Sequence, residues 1–139
     1  MKKAAAFAIV LTTLSLCSCG GGQNTSSPGV TPNGAIYQRI NAAEARQMME
    51  SASEYILLDV RTQGEYNESR IPGSILIPDY EISKRIEAEL PDKEALILIY
   101  CRSGRRSANA AKEMIGMGYT NVYDFGGIID WPHETESGR

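Results

Sequence analysis

Short apolar runs alternate with helical patterns along most of this chain of 139 residues. One run, residues 96–100, contains only Leu, Ile and Tyr and stops at Cys101, and a helical pattern follows over residues 108–117. A strand that is apolar on both faces is typical of the middle of a parallel sheet. The alternation therefore predicts one α/β domain over residues 35–133, with an open, mostly parallel sheet flanked by helices on both faces.

The same patterns place the individual elements. Asn41 with Glu44, and Thr62 with Glu65, have the spacing of capping boxes that begin helices. We therefore expect Glu65 to cap a helix rather than to take part in catalysis. The expected strands are 36–40, 55–60, 74–77, 96–100 and 121–125, and the expected helices are 41–50, 63–68, 80–90, 105–117 and a short one at 128–131, with a turn at Gly126-Gly127.

The loop that begins at Cys101 combines a thiol with local positive charge. A cysteine at a strand-to-helix turn meets the free amides and the positive dipole end of the helix that follows. Such a site binds anions and lowers a thiol pKa, so that more of the nucleophilic thiolate exists near neutral pH. Arg102, Arg105 and Arg106 follow directly. The pattern predicts an active-site loop with Cys101 as the nucleophile.

The first residues have the features of an export signal. A basic start (residues 2–3) precedes an uncharged apolar stretch, residues 4–16, that is shorter than the roughly 20 residues of a membrane-spanning helix. The stretch ends in a motif that resembles a bacterial lipobox, with Ser18 before a lipid-accepting Cys19. We therefore expect a lipoprotein signal peptide over residues 1–18 and an exported protein, anchored to a membrane and facing the periplasm or the cell surface. An ordinary cleaved secretory signal is the alternative.

Composition separates the rest of the chain into a linker, a domain and a tail. Residues 19–34 are rich in Gly, Ser, Asn, Thr and Pro, which predicts a flexible linker. Residues 134–139 read as a polar tail. If Cys17 leaves with the signal and Cys19 is lipidated, Cys101 is the one free thiol, in a compartment that favours disulfides. A thiol kept unpaired there indicates chemistry.

Charge and histidine content exclude several classes of function. The chain has 14 basic and 17 acidic residues and a formal net charge of −3, which argues against nucleic-acid binding. Against that acidic background, the three arginines of the loop suit a small anion. The one histidine, His133, is expected at the surface, so a Cys-His hydrolase and a histidine metal site are both excluded. We expect no metal or other cofactor.

Five short motifs occur in order along the chain. They are LDVR at 58–61, Glu65-Tyr66, IPGS at 71–74, CRSGRRS at 101–107, and Gly126-Gly127 with Trp131. Together they resemble the single-domain form of the rhodanese (sulfurtransferase) homology domain. That family usually has Gly-His before the Ile-Pro-Gly motif, whereas this chain has Ser69-Arg70.

The resemblance implies that Cys101 carries sulfur as a persulfide. The residues that would bind the donor and cradle the persulfide are those of the loop: Arg102, Ser103, Gly104, Arg105 and Arg106. Arg102 and Arg106 would attract a sulfonate group, whereas Arg105 either joins them or is solvated surface. A side chain at Gly104 would crowd the anion, so Gly104→Val is expected to reduce turnover while the fold survives.

The resemblance also implies supporting residues and a reaction. Asp59 and Arg61 would hold the loop through charged hydrogen bonds, or would simply close a strand end. The reaction takes sulfane sulfur from an anionic donor such as thiosulfate and passes it to cyanide, a thiol or a protein cysteine. It needs no general base, because the thiolate is already the reactive form.

Two other functions stay open at this point. Related folds act as cysteine phosphatases through a Cys-x5-Arg loop, but here Ser107 is six positions after Cys101 and Arg106 is five. The loop is one residue short for cradling phosphate. The second alternative is a low-turnover persulfide carrier or a binding module. A carrier needs the same thiolate, so the sequence does not separate it from an enzyme.

Overall fold

One parallel sheet of five strands organises the computed structural model, which describes residues 37–138. The strands lie in the order β1-β5-β4-β2-β3, and every neighbouring pair is parallel. Their bounds are β1 Gln38–Arg39, β2 Ile56–Asp59, β3 Ile75–Leu76, β4 Ile97–Cys101 and β5 Val122–Gly127. The predicted α/β class with a parallel sheet is confirmed.

In the described part of the chain, four α-helices connect the strands, and both predicted capping boxes are formed. The helices are α1 Ala42–Ser51, α2 Gln63–Glu68, α3 Ile82–Glu89 and α4 Arg105–Gly116, with 3-10 turns at Asp79–Glu81 and Ile128–Asp130. The Glu44 amide donates to Asn41 at 2.9 Å, and the Glu65 amide donates to the Thr62 hydroxyl at 3.3 Å. Within residues 37–138 the structure contains no helix that could cross a membrane.

The core lies on both faces of the sheet. On one side, Ile97, Ile99 and Cys101 pack in a cluster with residues of α3 and α4. On the other side, Leu98 and Tyr100 pack with residues of α1. Burial of one such aliphatic side chain contributes about 1.5–3 kcal/mol. Helices on both faces explain why β4 is apolar throughout, as the sequence predicts.

The helix predicted over residues 80–90 begins later than expected. Residues 79–81 form a 3-10 turn, in which the Glu81 amide donates to the Pro78 carbonyl at 2.8 Å. Tyr80 is 64% exposed, so it does not belong to the buried face. The reason is its spacing, because residues two positions apart do not share a face of a helix.

The turn predicted at Gly126-Gly127 is wrong, because β5 continues to Gly127. Asp124 pairs with Ile99, and Gly127 pairs with Cys101. β5 therefore has one residue more than β4 between the two pairs, which is a bulge. Gly126 takes φ +93°, a conformation that a side chain would strain. The bulge brings Gly127 beside Cys101.

The segment after the domain is held against it through Arg70. Arg70 and Glu136 exchange two backbone hydrogen bonds of 2.8 Å, and Arg70 Nε donates to Glu136 Oε1 at 2.9 Å. Arg70 Nη1 also donates to the Gly138 carbonyl at 3.0 Å, and its guanidinium lies over the Tyr66 ring. The residue that departs from the rhodanese motif thus binds the predicted polar tail.

One further prediction lies within the described residues, and the others lie before them. His133 is exposed and lies with its ring edge against Trp131, so the prediction of a surface histidine is confirmed. The predicted signal peptide, Cys19 and the linker lie outside residues 37–138, and they stay predictions.

Candidate active site

Cys101 is the last residue of β4, and the loop after it curls back over its sulfur. α4 begins at Arg105, so the thiol lies at the predicted strand-to-helix turn. Gly104 takes φ +94°, and its amide donates to Cys101 Sγ at 3.1 Å. Cys101 itself is 1% exposed. The geometry encloses the sulfur with backbone donors directed at it.

These donors stabilise the thiolate. Burial raises the pKa of the Cys101 thiol, but hydrogen bonds from the Ser107 hydroxyl and from the amides of Ser107, Ser103 and Gly104 outweigh it, and the pKa is lowered. A lower pKa means a larger thiolate fraction near neutral pH, and the thiolate is the nucleophile.

The end of β5 forms the floor under the loop. A Cβ atom at Gly127 would lie 2.3 Å from the Arg102 carbonyl oxygen and 2.6 Å from Ser103 Cα, so only glycine fits there. Gly127 was predicted to lie in a turn, and its contact with the loop was not predicted. A Cβ at Gly104 would meet Arg39 Nη2 at 3.0 Å and Gly126 Cα at 3.3 Å. A side chain at Gly104 would therefore clash with Arg39 of β1 and with Gly126 of β5. The sequence predicted only that it would crowd the bound anion.

The loop arginines differ in their partners. Arg106 forms a two-pronged ion pair with Glu65, with Nη1–Oε2 at 2.8 Å and Nη2–Oε1 at 2.7 Å. Among residues 37–138, Arg102 and Arg105 have no carboxylate partner, and both are exposed. Of the three cations expected to surround the thiol, two are therefore uncompensated. Glu65 both caps α2 and binds Arg106 of α4, and only the cap was predicted.

Comparison with known proteins agrees with this geometry. The family model described as the rhodanese-like domain matches residues 41–134. The match covers more than half of the chain. The chain belongs to the rhodanese family.

Two sulfurtransferases and one solved structure are similar to this chain over most of their own lengths. Thiosulfate sulfurtransferase PspE of Escherichia coli (strain K12) is 38% identical over 73 residues, which are 52% of this chain and 70% of PspE. A sulfurtransferase of Allochromatium vinosum is 34% identical over 97 residues, 69% of this chain and 89% of that protein. The solved structure of a rhodanese with anions from E. coli is 35% identical, with a TM-score of 0.55, over 61% of this chain and 100% of that one.

Asp59 and Arg61 form a buried ion pair within the rhodanese domain. Arg61 Nε lies 2.9 Å from Asp59 Oδ1, Nη2 lies 2.6 Å from Oδ2, and Nη2 also donates to the Ser69 carbonyl at 2.6 Å. The guanidinium lies 5.6 Å from the centre of the Tyr100 ring. These bonds join the end of β2 to the segment after α2. Of the two interpretations given above, they favour closure of the strand end.

We predict that Cys101 reacts as a thiolate at a pH below that of an ordinary thiol. The rate at which iodoacetamide modifies Cys101, followed by mass spectrometry of its peptide, is expected to reach half-maximum below about pH 8.5. Ser107→Ala removes one donor to the sulfur, so the midpoint moves to higher pH. Modification near neutral pH then slows by about fivefold, the factor for a hydrogen bond of about 1 kcal/mol.

Ser103→Ala is the matched control, because Ser103 contributes its amide and its side chain is exposed. A wild-type midpoint at or above that of a free cysteine would contradict the assignment of the donors.

The ion pair between Glu65 and Arg106 predicts a loss of stability in acid. The hydrogen bonds from Arg106, opposed by partial burial, lower the pKa of Glu65 from 4.5 to about 2. The pair is therefore fully stabilising above about pH 4.5, and this stabilisation is lost as the pH falls towards 2. We expect a loss of about 1–2 kcal/mol across this window, allowing for partial exposure of the pair.

Glu65→Gln keeps a capping oxygen but removes the charge, so its free energy of unfolding should fall less than that of the wild type between pH 4.5 and 2. Glu50→Gln, at a solvent-exposed ion pair of α1, is the control and should follow the wild type. Parallel curves for Glu65→Gln and the wild type in urea titrations would mean that the pair does not stabilise the fold.

Proposed function

We propose that this rhodanese domain is a thiosulfate sulfurtransferase that works through a persulfide on Cys101. The observation that carries the proposal is the enclosed sulfur, with the Gly104 amide 3.1 Å from Sγ and with further donors from Ser103 and Ser107. A sulfur held by several donors is stabilised as an anion before any substrate arrives.

The first half-reaction charges the enzyme. The Cys101 thiolate attacks the outer sulfur of thiosulfate, so that a new bond forms between Sγ and that sulfur. The bond between the two thiosulfate sulfurs breaks, and sulfite leaves with the electron pair. No proton is transferred, because the nucleophile is already ionised.

The second half-reaction transfers the outer sulfur of the Cys101 persulfide to an acceptor. Cyanide or a thiolate acceptor attacks the outer sulfur of the persulfide, and the Cys101 thiolate leaves with the bonding electrons. The products are thiocyanate or an acceptor persulfide together with the original enzyme. The loop amides serve both halves, since they stabilise the negative charge on the cysteine sulfur before the first half-reaction and again when the second half-reaction restores it.

Two observations support thiosulfate as the donor. Arg102 and Arg105 are exposed in the stretch that follows Cys101 and have no carboxylate partner among residues 37–138, so they favour an anionic donor. PspE, the relative that is 38% identical, is itself named a thiosulfate sulfurtransferase. The pairing of Arg106 with Glu65 leaves the other two arginines as the cations that would meet the sulfonate.

The decisive experiment is an intact mass of the purified protein after thiosulfate. We expect a gain of about 32 Da, the mass of one sulfur atom, which cyanide removes with release of an equal amount of thiocyanate. Repeated cycles with excess substrates identify an enzyme, whereas one thiocyanate per chain identifies a persulfide carrier. Hydrolysis of an aryl phosphate without any mass gain would favour the phosphatase alternative.

We also propose that Cys19 carries a lipid that anchors the domain to a membrane. The support is the sequence pattern alone, an apolar stretch that ends in small residues before the cysteine. Cys19→Ala should abolish incorporation of labelled fatty acid and release the protein from the membrane fraction. Cys17→Ala is the matched control and should leave both unchanged, and acylation that survives Cys19→Ala would overturn the assignment.

A further inference from the structure

A buried carboxylate on β5, Asp124, lies directly before the bulge, and the functional assignment does not use it. Its side chain is fully buried, where an ionisable group costs free energy unless it is hydrogen-bonded. Both of its oxygens have partners. Oδ1 accepts from the Gly126 amide at 3.0 Å, and Oδ2 accepts from the Tyr37 hydroxyl at 2.8 Å.

The bond to the Gly126 amide holds the bulge in place. A side-chain oxygen of Asp that accepts from an amide two residues later stabilises a local turn in the chain. Here that turn coincides with the positive φ of Gly126 and with the extra residue of β5. Asp124 thus stabilises the conformation that brings Gly127 under the loop.

Gly126 also contacts the loop that follows Cys101, through its carbonyl group and its Cα atom. Its carbonyl accepts from the Ser107 hydroxyl at 3.3 Å, and its Cα lies next to the position that a Cβ of Gly104 would take. The Ser107 hydroxyl has one proton and three acceptors, namely the carbonyls of Gly104 and Gly126 and the Cys101 sulfur. Of these, an ionised sulfur attracts the proton most strongly.

We propose that Asp124 is a positioning residue for Cys101: it holds the Gly126 peptide, on which the catalytic loop and the Ser107 hydroxyl rest. The inference rests on the proposed function only in taking Cys101 as the nucleophile. Asp124 acts through backbone and through Ser107, and it does not touch the sulfur.

Several charged groups surround Cys101, and they define the sign of each effect. Arg106 of α4 is paired with Glu65 of α2, Arg102 belongs to the loop, and Arg39 of β1 lies beside Gly104. Removing the negative charge of Asp124 alone would favour the thiolate. Removing its hold on the loop would disfavour the thiolate, because donors move away from the sulfur. The two effects have opposite signs.

Three variants separate these effects. Asp124→Ala removes both hydrogen bonds. Asp124→Asn removes the charge but keeps an oxygen for the Gly126 amide and an N–H that can donate to the Tyr37 oxygen. Tyr37→Phe removes one donor and leaves the bond to Gly126, and since burial and Asp124 raise the pKa of Tyr37, its hydroxyl is a neutral donor at working pH.

The readout is iodoacetamide modification of Cys101 in the folded protein, which needs no sulfur donor and so tests the inference even if sulfur transfer fails. We expect Asp124→Ala to slow modification at neutral pH by about tenfold, one unit in the midpoint, and to move that midpoint upwards. Asp124→Asn should match or exceed the wild-type rate. Tyr37→Phe should lower the temperature of unfolding and leave the midpoint unchanged.

A wild-type profile in Asp124→Ala overturns the proposal, and so does a slow profile in Asp124→Asn, because that variant keeps an oxygen for the Gly126 amide. If Asp124→Ala does not fold, Asp124→Glu takes its place, because the longer side chain keeps the charge and moves its oxygens away from Gly126. Slowed modification in that variant supports the proposal, and a wild-type rate overturns it.

Discussion

Cys101→Ser is expected to abolish the mass gain after thiosulfate and to lower the rate of thiocyanate formation on the order of 10³-fold or more. A serine hydroxyl is not ionised at neutral pH, and it cannot form the sulfur–sulfur bond that the persulfide requires. The Cys101 sulfur also accepts the hydrogen bonds from the loop, and the Gly104 amide nitrogen lies 3.1 Å from it. The substitution therefore abolishes both half-reactions.

The fold should survive the change, so that the loss reports chemistry. Serine is slightly smaller than cysteine, and its hydroxyl can accept from the Gly104 amide in place of the sulfur. We expect a cost of about 1–2 kcal/mol for burying the hydroxyl in the core cluster. Circular dichroism and thermal unfolding check this point. Thiocyanate formed at the wild-type rate by folded Cys101→Ser would mean that another group carries the sulfur.

Gly127→Ala is expected to reduce turnover by about 100-fold, although Gly127 lies on β5 and not in the loop. Gly127 has φ −120° and ψ 144°, which any residue adopts, so the effect is steric. The added Cβ would lie 2.3 Å from the Arg102 carbonyl oxygen, and the loop must move to relieve the contact. A displacement near 1 Å at a catalytic group can cost about 10²-fold in rate, and overpacking costs about 1–3 kcal/mol of stability.

Gly116→Ala is the matched control for this substitution. Gly116 lies at the end of α4, and a Cβ there has nothing within 4 Å. Alanine at a helical glycine is expected to be neutral or to stabilise by about 0.4–1 kcal/mol, with kcat and KM unchanged. If Gly127→Ala also had wild-type kinetics with thiosulfate, the loop would not depend on the floor that β5 provides.

Local patterns were sufficient for much of the secondary structure. The bounds of α2 agree residue for residue with the prediction, because a capping box and a helix are both defined by contacts three or four residues apart. The bounds of α1 and β4 each lie one residue later than predicted, at 42–51 instead of 41–50 and at 97–101 instead of 96–100. Glycine at positive φ was harder, since it occurs in turns and in bulges, and the paired strand decides between them.

The placement of a thiol between a buried strand and a helix with three nearby arginines is written in consecutive residues, and so the loop could be recognised from sequence. The sequence could not show which of those arginines lack a carboxylate partner. Glu65 lies 41 positions from Arg106 and meets it only when α2 packs beside α4. The burial of Asp124 under the bulge likewise depends on how β5 pairs with β4. Short-range hydrogen bonds and periodicity act along the chain, whereas the charge and support of the site arise from segments that folding brings together.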